Sequence, residues 1–115
     1  MCAAVNSLKA SSDFQRISRQ GKRWTFPAFI MQVLKHENAD SPFRLGLTVS
    51  RKVGNAVMRN RAKRRLREMV RTSISPDKLK GFDIVLIGKT SAAERDFALM
   101  KEDFLQGLEK LGISR

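Results

Sequence analysis

Residues 54–72 read GNAVMRNRAKRRLREMVRT, and the fold follows from this stretch. Gly54 permits a tight turn and Asn55 is a favoured N-cap type. From Ala56 to Thr72 there is neither Gly nor Pro to interrupt a helix. At about 100° per residue, Met58, Ala62, Leu66 and Met69 align on one stripe with Val70 at its edge, while Asn60, Arg61, Arg64, Arg65, Arg67 and Arg71 take the opposite side. The spacing predicts a helix that docks by its apolar stripe and turns a cationic face outward. Arg59 falls beside Leu66 and Val70, at the border of the buried side. Its guanidinium must reach out to water, pair with a carboxylate or grip a phosphate.

Immediately upstream, Phe43 to Ser50 alternates, with Phe43, Leu45, Leu47 and Val49 on one face of a half-buried strand. Phe29 to Leu34 is apolar enough for an interior strand, Pro27 limits how early its pairing begins, and His36 to Pro42 reads as the hairpin connection. Downstream, Phe82 to Gly88 is a buried strand by composition. A last helix is expected from Ala92 or Ala93, with Phe97, Met100, Phe104, Leu108 and Leu111 at helical spacing. Near the start, Ser12 caps a short helix that carries Phe14 and Ile17 and ends at Gly21, and a short extra strand fits Arg23 to Thr25. The order is that of an α+β two-layer sandwich, a small mixed four-stranded sheet covered by helices. It forms a single domain over residues 1–115, with about 1–7 and 113–115 expected outside the ordered fold. The strand–basic helix–strand unit would by the generic rule cross over right-handed.

A chain of 115 residues supports one core. Its 23 Lys and Arg against 11 Asp and Glu give a net charge of +12, which makes a polyanion the first partner to consider. The charge is concentrated. Residues 51–75 hold nine bases against Glu68 alone, two thirds of the net charge, whereas residues 76–110 are near neutral. Solvated helix faces ordinarily interleave acids with bases. Here the repulsion stays uncompensated, a condition that a nucleic-acid backbone relieves, and the bases are mostly arginine, whose planar fork grips phosphate.

One cysteine, Cys2, and one histidine, His36, leave no intramolecular disulfide, no Cys/His zinc site and no supported Cys–His or Ser–His pair. His36 reads as an exposed loop residue and Cys2 as a free thiol. No apolar run is long enough to span a bilayer and the start does not resemble a secretory signal. These features point to the reducing cytoplasm and to no membrane partner.

Residues 50–64, SRKVGNAVMRNRAKR, closely resemble the bacterial ribonuclease P protein family. The resemblance runs from about Leu8 to Leu111 and includes Leu8-Lys9, Asp13-Phe14, Gly21-Lys22-Arg23, Leu45 to Ser50, and Asp83 opening the last strand. It implies a basic subunit that binds a catalytic RNA, in a holoenzyme that hydrolyses precursor tRNA to remove the 5′ leader. By the same resemblance the catalytic centre lies in the RNA, Mg²⁺ is held mainly by RNA and substrate, and no protein partner is obligatory. No residue of this chain is then catalytic or a metal ligand. The family's crossover is left-handed, and that expectation replaces the generic one.

Carried over residue by residue, Arg59, Asn60, Arg61, Lys63, Arg64 and Arg67 match the family's RNA-binding helix, with chemistry suited to phosphate and 2′-hydroxyl contacts. Asn60 both donates and accepts, so it can fix register. The resemblance also implies a cleft between the first helix and the sheet that holds the single-stranded leader. Phe14 matches a stacking aromatic there, Thr48, Ser50 and Lys52 match polar positions, and Arg16 and Arg19 add positive potential. Ser18 and Gln32 stand where family members often carry an aromatic, which shifts leader binding towards electrostatics. Two other classes fit less well. A structural ribosomal protein explains the charge but not the whole motif, and a stand-alone nuclease needs a carboxylate cluster or a histidine pair that scattered acids and a lone histidine do not supply.

Overall fold

The computed structural model describes residues 6–7, 19, 21–35, 40, 42–49 and 51–110. In chain order the elements are β1 (Asn6–Ser7), β2 (Lys22–Thr25), β3 (Phe29–Lys35), β4 (Arg44–Val49), α1 (Ala56–Ser73), β5 (Phe82–Gly88) and α2 (Phe97–Lys110). Short 3₁₀ turns cover Arg51–Val53, Pro76–Leu79 and Thr90–Ala93.

β5 is apolar on both faces, as a strand with neighbours on each edge tends to be. It occupies the middle of the order β1-β4-β5-β3-β2. β4 runs parallel to it, with Leu47 opposite Leu86, and β3 runs antiparallel, with Met31 opposite the same Leu86. This corrects the expected hairpin through His36 to Pro42. β3 and β4 do not pair, because β5 inserts between them. The hairpin that does form joins β2 to β3, closed by Phe26 N–H donating to Phe29 O at 2.8 Å. Residues 36–39 and 41, His36 among them, lie outside the described residues. β1 adds a two-residue parallel strand beside Arg44 and Leu45, so the sheet has four main strands and a short fifth, formed at residues expected to precede the ordered fold.

One face of the sheet carries Phe29, Met31, Val33, Ile84 and Leu86, all buried. In the same core α1 buries Ala62, Leu66, Met69 and Val70, and α2 buries Met100, Phe104, Gly107 and Leu108. Gly107 sets the approach of α2, since a Cβ there would lie 2.7 Å from Met31 Sδ. At the open end of the sheet Asp83, fully buried, holds Arg44 on the adjacent strand through Nε to Oδ1 at 2.9 Å and Nη2 to Oδ2 at 2.7 Å.

α1 starts where the sequence indicates. Gly54 has φ +134°, and the Asn55 side chain accepts from Met58 N–H at 3.0 Å. α2 starts later than expected. Thr90–Ala93 forms a 3₁₀ turn, and Asp96 Oδ1 then accepts from Ala98 N–H at 2.9 Å and Leu99 N–H at 3.3 Å, so the cap fixes the first helical residue at Phe97. The expected N-terminal helix, except for an exposed helical Arg19, and Leu111 lie outside the described residues.

Candidate nucleic-acid interface

The outward side of α1 is one-signed along most of its length. Its sole acid, Glu68, is occupied from within the helix. Arg71 Nε donates to both Glu68 oxygens at 3.1 Å and its Nη2 donates to Oε2. That hydrogen bond, helped by the charges of Arg71 and Arg67, holds the Glu68 carboxyl below its usual value against a smaller opposing effect of desolvation. Asn60, Arg61, Arg64 and Arg67 are exposed and Arg59 and Lys63 half-buried. None of these six makes a side-chain hydrogen bond or ion pair with a described residue.

Arg65 departs from the face that periodicity assigns to it. It is half-buried, with Nη1 donating to Ala92 O at 2.8 Å and Nη2 donating to Arg95 O. The fold uses this guanidinium and the outward side of α1 loses it.

Thr48 and Val49 at the end of β4 and Ala56, Arg59, Asn60 and Lys63 in the first turns of α1 line an open polar groove of about 280 Å³. Arg59, one of these lining residues, has its Nε buried without a hydrogen-bond partner. Of the three outcomes open to Arg59 from its sequence position, a carboxylate pair is absent among the described residues. An unmatched buried N–H bears an energetic penalty that an incoming anion relieves. The groove thus joins Thr48, expected on the leader side, to three residues expected on the docking helix.

From Thr48 the second face of the sheet continues in register through Ile87 and Ile30 to Thr25. Thr48 and Thr25 are exposed and the two isoleucines half-buried. Sequence reasoning did not single out this row, although the alternation of β4 with β5 carries its signal. It also passed over Val57, which is 74% exposed at the start of the cationic face. Lys52 is exposed in the turn before α1. Gln32, at 5% exposure, lies between Arg23 and Val85 and presents no open surface. Phe14, Arg16, Ser18 and Ser50 lie outside the described residues. Among the described residues no three His, Cys, Asp or Glu side chains converge as a metal cluster, and no helix is long and apolar enough to cross a membrane.

The family model for ribonuclease P matches residues 3–112. The chain belongs to the ribonuclease P protein family. It is 39% identical to the ribonuclease P protein component of Gluconacetobacter diazotrophicus, over 98% of this chain and 97% of that one. Identity to the component of Paramagnetospirillum magneticum is 38%, over 97% and 86%. The RNase P protein structure of Staphylococcus aureus aligns with a TM-score of 0.79 at 28% identity, covering 97% of this chain and all of that one. That of Thermotoga maritima gives 0.72 at 32% identity, over 91% and 96%. The helix-covered mixed sheet is therefore a ribonuclease P protein fold, and the motif at residues 50–64 lies inside the matched region. As a protein component of ribonuclease P, the chain serves tRNA 5′-end maturation alongside the ribonuclease P RNA and precursor tRNA.

Proposed function

We propose that the chain acts in ribonuclease P through two joined surfaces. Arg59, Asn60, Arg61, Lys63, Arg64 and Arg67 dock the catalytic RNA. The adjoining side of the sheet, with Thr48, holds the 5′ leader of precursor tRNA, and by the family resemblance Ser50, Lys52, Phe14, Arg16 and Arg19 belong to the same leader-binding set. The observation that carries this reading is the polar groove lined by Thr48 of β4 and by Arg59, Asn60 and Lys63 of α1, together with the buried, unpartnered Nε of that Arg59. A phosphate entering that groove supplies the missing acceptor and neutralises the repulsion along α1. Because one groove serves both surfaces, RNA seated on α1 brings its own active site alongside the leader.

The chain's part in catalysis is binding and orientation. Mg²⁺ supplies charge neutralisation for phosphodiester hydrolysis. By the family resemblance, phosphate oxygens of the RNA and the substrate would hold it. With Gln32 buried, base stacking falls to Phe14 and the rest of leader binding is electrostatic. The reaction belongs to the cytoplasm.

The test is cleavage of precursor tRNA by in vitro transcribed bacterial ribonuclease P RNA at low Mg²⁺, with and without this protein. The proposal expects protein-dependent acceleration that Arg61→Ala with Arg64→Ala removes. Binding to ribosomal RNA without any rescue of cleavage would refute it.

A further inference from the structure

Arg65 sits in the middle of the cationic helix, yet its side chain spends its donors inside the fold. Nη1 and Nη2 reach two different carbonyls, Ala92 O and Arg95 O, 27 and 30 residues further along the chain. Both lie where the 3₁₀ turn Thr90–Ala93 gives way to Asp96, the cap of α2. Both acceptors are main-chain carbonyls, and a charged N–H donor makes a stronger hydrogen bond to such an oxygen than a neutral one does. Burial works against the charge of Arg65 first and the neighbouring Arg61 second, while Asp96 supports it. The guanidinium is thus a clamp between the middle of α1 and the start of α2.

The clamp has a geometric consequence. A helix packed by an apolar stripe can still roll about its axis, and a side chain fixed at two points resists that roll. Arg61 lies one turn before Arg65 and Arg64 directly before it, so the direction in which both project is set by the same bridge. We infer that Arg65 is a positioning residue, which bridges Ala92 O and Arg95 O to fix the roll of α1 and so aims Arg61 and Arg64 at the RNA without touching it. This rests on the proposal that α1 docks RNA. An arginine fork suits the task, because a lysine ammonium is a single nitrogen on a shorter reach and cannot replace two divergent donors.

Charge and geometry separate in a binding experiment. Affinity for in vitro transcribed ribonuclease P RNA is measured against salt for the wild type, Arg65→Lys, Arg65→Ala and Arg64→Ala. Arg65→Lys keeps the charge, and weaker binding with an unchanged salt slope is expected, as for Arg65→Ala. Arg64→Ala should flatten the slope by about 0.7 to 0.9. Wild-type affinity in Arg65→Lys, or a slope loss in Arg65→Ala equal to that of Arg64→Ala, overturns the inference. If Arg64→Ala changes neither affinity nor slope, the docking surface is misassigned and the inference falls with it, a result distinguishable from the first two. The wild-type protein gives a readout independent of variant folding, arginine modification by phenylglyoxal followed by mass spectrometry. Arg65 should be protected with and without RNA, whereas Arg61 and Arg64 become protected only when RNA is added. An Arg65 that reacts in the free protein and is shielded by RNA contradicts the assignment.

Discussion

Salt should dissociate the chain from ribonuclease P RNA along a slope set by how many bases of α1 the fold leaves unoccupied. The helix carries seven bases. Arg65 is bound to the carbonyls of Ala92 and Arg95, and Arg71 is bound to Glu68. Arg59, Arg61, Lys63, Arg64 and Arg67 remain. At about 0.7 to 0.9 released counterions per neutralised phosphate, five contacts give a slope of log K against log salt of about −3.5 to −4.5. Between 0.1 and 0.3 M potassium chloride the affinity should therefore fall about 50- to 140-fold. With all seven bases engaged, the fall would be roughly 200- to 1000-fold. Fluorescence anisotropy of labelled RNA, titrated at several salt concentrations in the absence of precursor tRNA, reads the slope directly. The Arg61→Ala, Arg64→Ala double variant should flatten it to about −2 to −3. A wild-type slope shallower than about −2, or a double variant with the wild-type slope, refutes the assignment of this face. A slope near −6 would show that Arg65 and Arg71 leave their internal partners when RNA binds.

The other predictions concern what holds this face in place. Asp83→Ala removes a fully buried carboxylate from Arg44; because Arg44 is 30% exposed and regains some water, the expected loss is about 2 to 3 kcal/mol, below that of a wholly buried pair. Urea denaturation measures it, and a change under about 0.5 kcal/mol contradicts the role given to the pair. Asn55→Ala deletes the acceptor for Met58 N–H and should cost about 1 kcal/mol, again by urea denaturation, with the salt slope of RNA binding unchanged. The folded Glu68 carboxyl titrates below its usual value. Its contribution is therefore present above the unfolded value and is lost as pH falls through the folded one. Far-ultraviolet circular dichroism of α1 should be flat from pH 7 to 5, and unwinding in that window would show that the pair does not hold.

Local signals carried α1 into view. Cap, turn glycine and apolar stripe all point the same way, and the border position of Arg59 follows from its angle alone. The limits are tertiary. The angle of Arg65 was legible, but its partners lie on a segment 27 residues or more downstream, and periodicity says nothing about where a distant carbonyl will be. Likewise, β3 and β4 looked adjacent because they are neighbours in sequence. The apolar run of Phe82 to Gly88 was the only hint that another strand separates them. The start of α2 was misplaced because Ala92 and Ala93 favour helix, whereas Asp96 captures the amides of Ala98 and Leu99 and determines the boundary. Gln32, placed by resemblance where an aromatic is often found, is buried in the sheet, and the sequence of a single strand does not say how far its second face is covered.

Directed hydroxyl-radical probing tests the division between the two surfaces most directly. Cys2 is the sole cysteine, so Cys2→Ser leaves a background in which an iron chelate can be tethered at one chosen site. Val57→Cys places it on the cationic face and Thr25→Cys on the second face of the sheet, both at exposed positions not assigned a contact. In the complex with ribonuclease P RNA and precursor tRNA, cuts from residue 57 should fall in the catalytic RNA and cuts from residue 25 in the 5′ leader. Cuts from residue 57 that spare the catalytic RNA, or a leader cut only from residue 57, would contradict the account.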